Sequence, residues 1–127
     1  MSMRSPLGRI RGLGSAKDGT GHWWAQRVTA IALVPLVVWF VVSVIGIAGA
    51  GYLEFIAWLS SPSVAAMMIL LIVATFHHAQ LGLQVVIEDY VHDEAMKIPA
   101  ILVMKAVAIL LGLIGVLAVL KIAVGGA

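Results

Sequence analysis

The chain has 127 residues, of which 62% are hydrophobic and 11% are charged, and its formal net charge is +2 at pH 7. Its mean hydropathy is +1.10. A soluble domain of this length could not cover so much apolar surface with so few charges, so the composition excludes a water-soluble protein and indicates an integral membrane protein. The sequence contains no cysteine, which also excludes disulfides and thiolate ligation of iron–sulfur clusters.

The N-terminal part, residues 1–21, is basic and rich in glycine and serine, and we predict that it forms a cytoplasmic tail. The positive-inside rule places the N-terminus in the cytoplasm and, after three spans, the C-terminus in the periplasm, because the loop from Gly51 to Pro62 carries Glu54 and no Lys or Arg. Basic residues beside a span more often orient the protein or contact anionic lipid than bind nucleic acid, so no nucleic-acid partner is expected. The charged residues before the first span are Arg4, Arg9, Arg11, Lys17, Asp18 and Arg27.

Three apolar runs are long enough to cross a bilayer, which takes roughly 20 apolar residues. They cover about residues 28–50, 64–90 and 98–124. The first run is too long for a signal-peptide core and lacks an A-x-A cleavage pattern, so we interpret it as a retained helix. The sequence therefore predicts an all-α membrane protein in which residues 22–127 form a three-helix transmembrane anchor domain, integral to the bacterial inner membrane.

Local signals predict how the spans are joined and packed. The loop with Tyr52, Glu54, Phe55 and Trp58 is typical of a short amphipathic segment at the membrane interface. Ser61-Pro62 favours the start of the second span, with Ser as N-cap and Pro at the first helical position. In the third span, Gly112 and Gly115 would allow a neighbouring helix to approach closely.

His78 is the residue whose position most strongly indicates a function. It lies on one helix face with Gly82, Val85 and Asp89, about 16 Å along the axis from Asp89, which is near mid-bilayer depth. An imidazole at that depth needs a partner, and a neutral one can bind haem iron through Nε2. Gly82 would remove a side chain that collides with the macrocycle. The alternative is a histidine that only hydrogen-bonds to a neighbouring helix.

The other histidines restrict how such a haem could be held. His77 points about 100° away from His78, so both cannot face one haem, and His77 either bonds across helices or is itself the ligand. His22 and His92 lie at the cytoplasmic edge, so neither matches the depth of His78. The second axial ligand of a low-spin haem should therefore come from another chain, and this chain would supply half of a helical anchor bundle. With no cysteine, any haem is held non-covalently.

Three further residues at the cytoplasmic ends of the spans are candidates for binding. Arg27 can form a forked ion pair with a carboxylate such as a haem propionate, or it is an ordinary topology anchor that reaches phosphate. The Tyr90 phenol can donate a hydrogen bond to a quinone carbonyl, and Asp89 can orient it or relay protons. The alternative for this pair is an interfacial tyrosine beside a solvated acid, which the adjacent Glu88 favours slightly.

With these residues in place, the chain resembles the small membrane-anchor (cytochrome b) subunit of succinate dehydrogenase, respiratory complex II. The length, the three spans and the N-terminus inside are similar too, and the signatures of the large anchor subunit (Ser-x-x-His-Arg and a basic pair after its own haem histidine) are missing here. Two motifs carry the resemblance: His22-Trp23 with Arg27-Val28-Thr29-Ala30, and His78-x-x-x-Gly82 with Gln84-Val85-Val86 and Asp89-Tyr90-Val91-His92.

The resemblance implies roles for individual residues. His78 would be an axial ligand of haem b, with the opposing ligand on the large cytochrome b subunit. Tyr90 would bond a ubiquinone carbonyl with Asp89 beside it, and Arg27 would lie near the haem propionates, with His22 as a weaker candidate. Glu88 departs from the family pattern, in which a hydroxyl residue is usual, and so does His77.

The expected partners are the large cytochrome b anchor, the iron–sulfur subunit and the flavoprotein subunit, which oxidises succinate in the tricarboxylic acid cycle. This chain would be a part of succinate dehydrogenase (quinone) and of electron transport, with no catalytic activity alone. The alternatives are the anchor of a quinol:fumarate reductase and a cofactor-free structural anchor.

Overall fold

The computed structural model describes residues 16–125, which form helices and connecting turns with no strand in that range. Three of the helices are long and apolar enough to span a membrane, over Gly19–Gly46, Pro62–Tyr90 and Glu94–Gly125. This confirms the predicted all-α, three-span membrane protein, while the orientation of the termini stays a prediction. The helices are α1 Ala16–Gly46, α2 Tyr52–Ser60, α3 Pro62–Tyr90 and α4 Glu94–Gly125.

The first helix lies nearer the N-terminus than the predicted span at 28–50. It begins at Ala16, inside the segment that we expected to be a tail, and it ends at Gly46. An apolar run marks the part of a helix that suits the membrane, whereas backbone hydrogen bonding continues into polar sequence until something stops it. At the other end the chain turns at Gly49, whose φ of 131° is favourable only for glycine. Residues 1–15 of the expected tail lie outside the described residues.

The short helix α2 confirms the predicted amphipathic segment as a helix. Its N-cap is Gly51, whose N–H donates to Glu54 Oε2 at 2.9 Å. Ser61 is the C-cap of α2 and also the residue that precedes α3. Ser61 is the N-cap of α3 and Pro62 opens the helix, as predicted, although the Ser61 hydroxyl makes no capping hydrogen bond to the backbone. Its Oγ lies 3.2 Å from Ser63 Oγ instead, so the two hydroxyls bond each other.

The central helix is α3, which packs against α1 on one side and against α4 on the other. The helix α2 packs on α3 and α4, where Leu59, Ala65 and Val119 form a small buried cluster. The predicted close approach of α4 is confirmed. A Cβ on Gly112 would lie 3.5 Å from Phe76, and one on Gly115 would lie 3.2 Å from Ile72. Most other apolar side chains of the spans are exposed, as suits contact with lipid or with partner helices.

Candidate functional site

A cleft of about 470 Å³ lies between α1 and α3. Three of the predicted site residues line it: His22 and Arg27 from α1, and His78 from α3. The two sequence motifs that contain them lie far apart in the chain. Val85, one of the residues predicted to share the face of His78, also lines it. The remaining lining residues come from α1 and are Gly19, Trp23, Gln26 and Ala30.

His78 is half-buried and is hydrogen-bonded across the two helices. Its Nδ1 lies 3.0 Å from Thr29 Oγ1. An imidazole has two ring nitrogens, and this bond uses only Nδ1, so Nε2 is available to a metal. Both interpretations of His78, a bond to a neighbouring helix and a haem ligand, are therefore compatible with the same geometry.

Two polar atoms in the cleft are buried without a hydrogen-bond partner, His22 Nε2 and Gln26 Oε1. Buried polar side-chain atoms in proteins are nearly always paired, so two on one helix face favour a bound polar group or a partner chain at this place. Gly82 faces the same helix, since a Cβ there would lie 3.7 Å from Gln26 Nε2. An imidazole with a free nitrogen, unpaired polar atoms and a glycine beside them fit one edge of a haem.

Arg27 is exposed, and its side chain lies over an aromatic ring. Its guanidinium carbon lies 5.1 Å from the ring centroid of Trp23, within the range of a cation–π interaction. Trp23 in turn makes an edge-to-face contact with Trp24 at 5.0 Å. The ring holds the arginine at the cleft while its N–H donors remain free for a carboxylate.

The end of α3 is different, because Asp89 and Tyr90 are exposed and do not line the cleft. Tyr90 is 79% exposed. The neighbouring acid, Glu88, accepts a hydrogen bond from Gln84 Nε2 at 2.8 Å, one helical turn back. The structure therefore places the two predicted quinone-site residues beside each other at the surface of the described part of the chain.

His77 lies in a separate groove of about 290 Å³ between α3 and α4, together with Phe76, Gln80 and Gly112. Its Nδ1 accepts a hydrogen bond from Gln80 Nε2 at 2.9 Å. The predicted divergence of the two adjacent histidines is thus confirmed, and only His78 faces the cleft with Arg27. Within residues 16–125, no three His, Cys, Asp or Glu side chains come together as a metal site.

Sequence reasoning missed two residues of this site, Gln26 and Thr29. The signal was present, because His22, Gln26 and Thr29 follow one another at steps of four and three, which is a polar stripe on one face of a membrane helix. What a single sequence does not reveal is which neighbouring helix that stripe meets.

Residues 1–118 match the protein family described as the succinate dehydrogenase/fumarate reductase transmembrane subunit. The chain belongs to this family. It is 32% identical over 108 residues to the succinate dehydrogenase hydrophobic membrane anchor subunit of Rickettsia bellii, covering 84% of this chain and 86% of the relative. With the protein of the same name from Paracoccus denitrificans it shares 31% identity, covering 73% of this chain and 72% of the relative.

A third relative is the succinate dehydrogenase membrane anchor subunit of Reclinomonas americana, with 30% identity over 73% of this chain and 80% of the relative. These matches confirm the resemblance inferred from the two motifs. The chain is an integral membrane protein and a membrane-anchor subunit of succinate dehydrogenase, an oxidoreductase complex.

Proposed function

We propose that this chain contributes one axial ligand of haem b and part of the ubiquinone-reduction site of succinate:quinone oxidoreductase. It would also tether the iron–sulfur and flavoprotein subunits to the membrane. The observation that carries the proposal is the α1–α3 cleft, in which His78 lies with Arg27, His22 and two unpaired buried polar atoms. Membership of the family supports the same function.

In this proposal the residues of the cleft bind and orient the cofactor. His78 would hold the haem iron through Nε2, and the large cytochrome b subunit would supply the other ligand. Arg27 pairs with a propionate, His22 is the weaker candidate for a polar contact, and Gly82 leaves room for the edge of the macrocycle. When bound, haem b supplies one-electron redox chemistry at the contact between the two anchor chains.

The quinone site would form around the exposed end of α3. Tyr90 donates its phenolic hydrogen to one carbonyl of ubiquinone and holds the ring in place. Asp89, next to it at the predicted cytoplasmic face, holds and passes protons to the reduced oxygen. The 79% exposure of Tyr90 supports a site completed by the large anchor and the iron–sulfur subunit, which would cover it in the complex.

The relatives named above are succinate dehydrogenase subunits, which supports quinone reduction over the reverse reaction. The family description also includes fumarate reductases. Comparing succinate:quinone and quinol:fumarate turnover of the purified complex with its native quinone tests the direction. A complex that reduces fumarate faster than it oxidises succinate would be a quinol:fumarate reductase.

The haem assignment is tested by the dithionite-reduced minus oxidised visible spectrum of the complex, purified in mild detergent through this chain. We expect a b-type signal that disappears in His78→Ala and survives in His77→Ala, since only His78 faces the cleft. The His77 variant is the matched control, because it removes an identical side chain from the adjacent position. An intact complex without any haem signal would leave a cofactor-free anchor.

The quinone assignment is tested by Tyr90→Phe, which removes one hydroxyl. We expect loss of succinate:quinone activity while succinate:dye activity is retained, because the dye takes electrons before the quinone site. Loss of both activities would mean that the complex had fallen apart. Asp89→Asn should slow quinone reduction, and full turnover across pH would contradict a role in proton delivery.

A further inference from the structure

Thr29 is the α1 side chain that bonds His78. Its Oγ1 lies 2.7 Å from the backbone oxygen of Ala25, 3.1 Å from that of Gln26 and 3.0 Å from His78 Nδ1. Thr29 is half-buried, and its own helix provides two of these three neighbours. The contact with His78 is thus made by a hydroxyl that is already bound to its own backbone.

The proton positions follow from counting donors. A threonine hydroxyl has one hydrogen to donate and lone pairs with which to accept. An oxygen 2.7 Å from a carbonyl oxygen is at the usual O–H···O distance, and without the hydrogen between them the two oxygens would repel. The Thr29 hydrogen therefore points to Ala25 O, a bond that threonine commonly forms inside helices. Nδ1 of His78 must then be the donor and Thr29 Oγ1 the acceptor.

We propose that Thr29 is the positioning residue for His78: it holds the imidazole as the Nδ1–H tautomer and so directs the Nε2 lone pair to the haem iron. This inference rests on the proposed function, in which His78 is the axial ligand. The hydrogen bond crosses from α1 to α3, so it also fixes the orientation of the imidazole ring about the bond that joins it to the rest of the His78 side chain. Hydrogen bonds of this kind orient a metal-bound histidine and raise the basicity of the ligating nitrogen.

Two consequences follow for the bound complex. A more basic ligand stabilises ferric over ferrous haem, so losing the Thr29 bond should shift the haem midpoint potential to more positive values. A ring that is free to rotate should also hold the iron less well, and removing such an outer bond typically weakens metal binding by about 10–100-fold.

The experiment compares three variants of the purified complex. Thr29→Val replaces the hydroxyl by a methyl group of similar size, Thr29→Ser restores the oxygen without the methyl, and Thr75→Val makes the same chemical change at an exposed position of α3. The readouts are the haem midpoint potential, from redox titration of the visible spectrum, and haem retention when the complex is challenged with a haem-scavenging protein.

We expect a positive shift in potential and faster haem loss in Thr29→Val, with wild-type values in Thr29→Ser and Thr75→Val. If Thr29→Val does not assemble, Thr29→Ala removes the same oxygen with a smaller side chain and should give the same shift. Wild-type potential and retention without the hydroxyl would overturn the inference, and so would a serine variant that behaves like the valine one.

The His78→Ala spectrum separates this outcome from failure of the proposed function. If His78→Ala loses the haem while Thr29→Val leaves its potential and retention unaltered, the positioning role of Thr29 is rejected and His78 remains the proposed axial ligand. Haem with unchanged spectrum and potential in His78→Ala would reject both.

Discussion

The two sides of α3 carry adjacent histidines in different surroundings. On the α1 side, His78 bonds Thr29 and faces a cleft of about 470 Å³ that contains Arg27 and unpaired polar atoms. On the α4 side, His77 bonds only Gln80 on its own helix, beside a groove of about 290 Å³ lined mainly by apolar residues. The comparison teaches that the neighbours of a membrane histidine, rather than its position along the span, decide what it can bind.

The glycines of the two sides differ in the same way. Gly82 faces the flexible amide of Gln26, and a Cβ there would make only an ordinary contact at 3.7 Å. Gly115 and Gly112 lie directly against Ile72 and Phe76. Gly82 therefore has room for a methyl group, whereas Gly115 lies at the tight contact where α3 and α4 pack. Four predictions test this division between the two sides of α3.

The largest effect should come from Gly82→Leu, which adds a bulky side chain on the face of α3 toward Gln26, one helical turn from His78. We expect nearly complete loss of the b-type absorbance with a helical, assembled chain, because the branched side chain occupies the space predicted for the macrocycle. Gly82→Ala is the matched control and should keep the haem, since its Cβ would lie 3.7 Å from Gln26 Nε2. The reduced-minus-oxidised spectrum and circular dichroism of both variants measure this. Full haem content in the leucine variant would show that Gly82 does not face the cofactor.

Stability should depend on the other side of α3, where Leu59 packs against Ala65 and Val119. Leu59 is 4% exposed, and truncating such a leucine to alanine costs about 2–5 kcal/mol through lost contacts and a cavity. Leu53 on the same helix is 80% exposed, and Leu53→Ala should cost at most about 0.5 kcal/mol. Thermal unfolding of the two variants in detergent measures the difference. Equal midpoints would show that the cluster does not hold α2 in place.

A smaller effect is expected for Gly115→Ala. Its Cβ would lie 3.2 Å from Ile72 Cγ2, so the packed Ile72 side chain would have to shift to make room. Overpacking costs about 1–3 kcal/mol, which outweighs the gain of about 1 kcal/mol in helix propensity, and we expect a lower unfolding temperature. Gly112→Ala should be neutral or stabilising, since its Cβ would make ordinary contact with Phe76 at 3.5 Å. Equal unfolding temperatures for the two variants would contradict tighter packing at Gly115.

The smallest effect is expected for Gln80→Leu, which removes the partner of His77. The hydrogen bond between them lies on an exposed part of the helix, so its loss should change the free energy of unfolding by no more than about 1 kcal/mol. The haem spectrum should be identical to that of the wild type. A changed haem potential in this variant would show that the two sides of α3 are coupled.

Most of the fold was predictable from the sequence, and so were three of the residues that line the α1–α3 cleft, His22, Arg27 and His78. Hydropathy identified the three spans, and the angle between adjacent helix positions separated His77 from His78. The helix α1 extends N-terminal to the predicted span, because an apolar run indicates the part of a helix that suits the membrane and not the full extent of helical hydrogen bonding. Ser61 is the predicted N-cap of α3, but its hydroxyl bonds Ser63 instead of a backbone group, which the sequence did not indicate. Gln26 and Thr29 were missed because their significance depends on a second helix.

The sequence by itself determined what belongs to one helix at a time: its type, its apolar length, and which residues share a face. These properties follow from local geometry and from the cost of placing polar groups in lipid. Helix packing, in contrast, brings the polar stripe of α1 to His78, leaves Asp89 and Tyr90 outside that cleft and places Gly115 against a neighbouring helix. The physical reason is that the register between helices comes from side chains far apart in the chain, and no spacing within one helix encodes it.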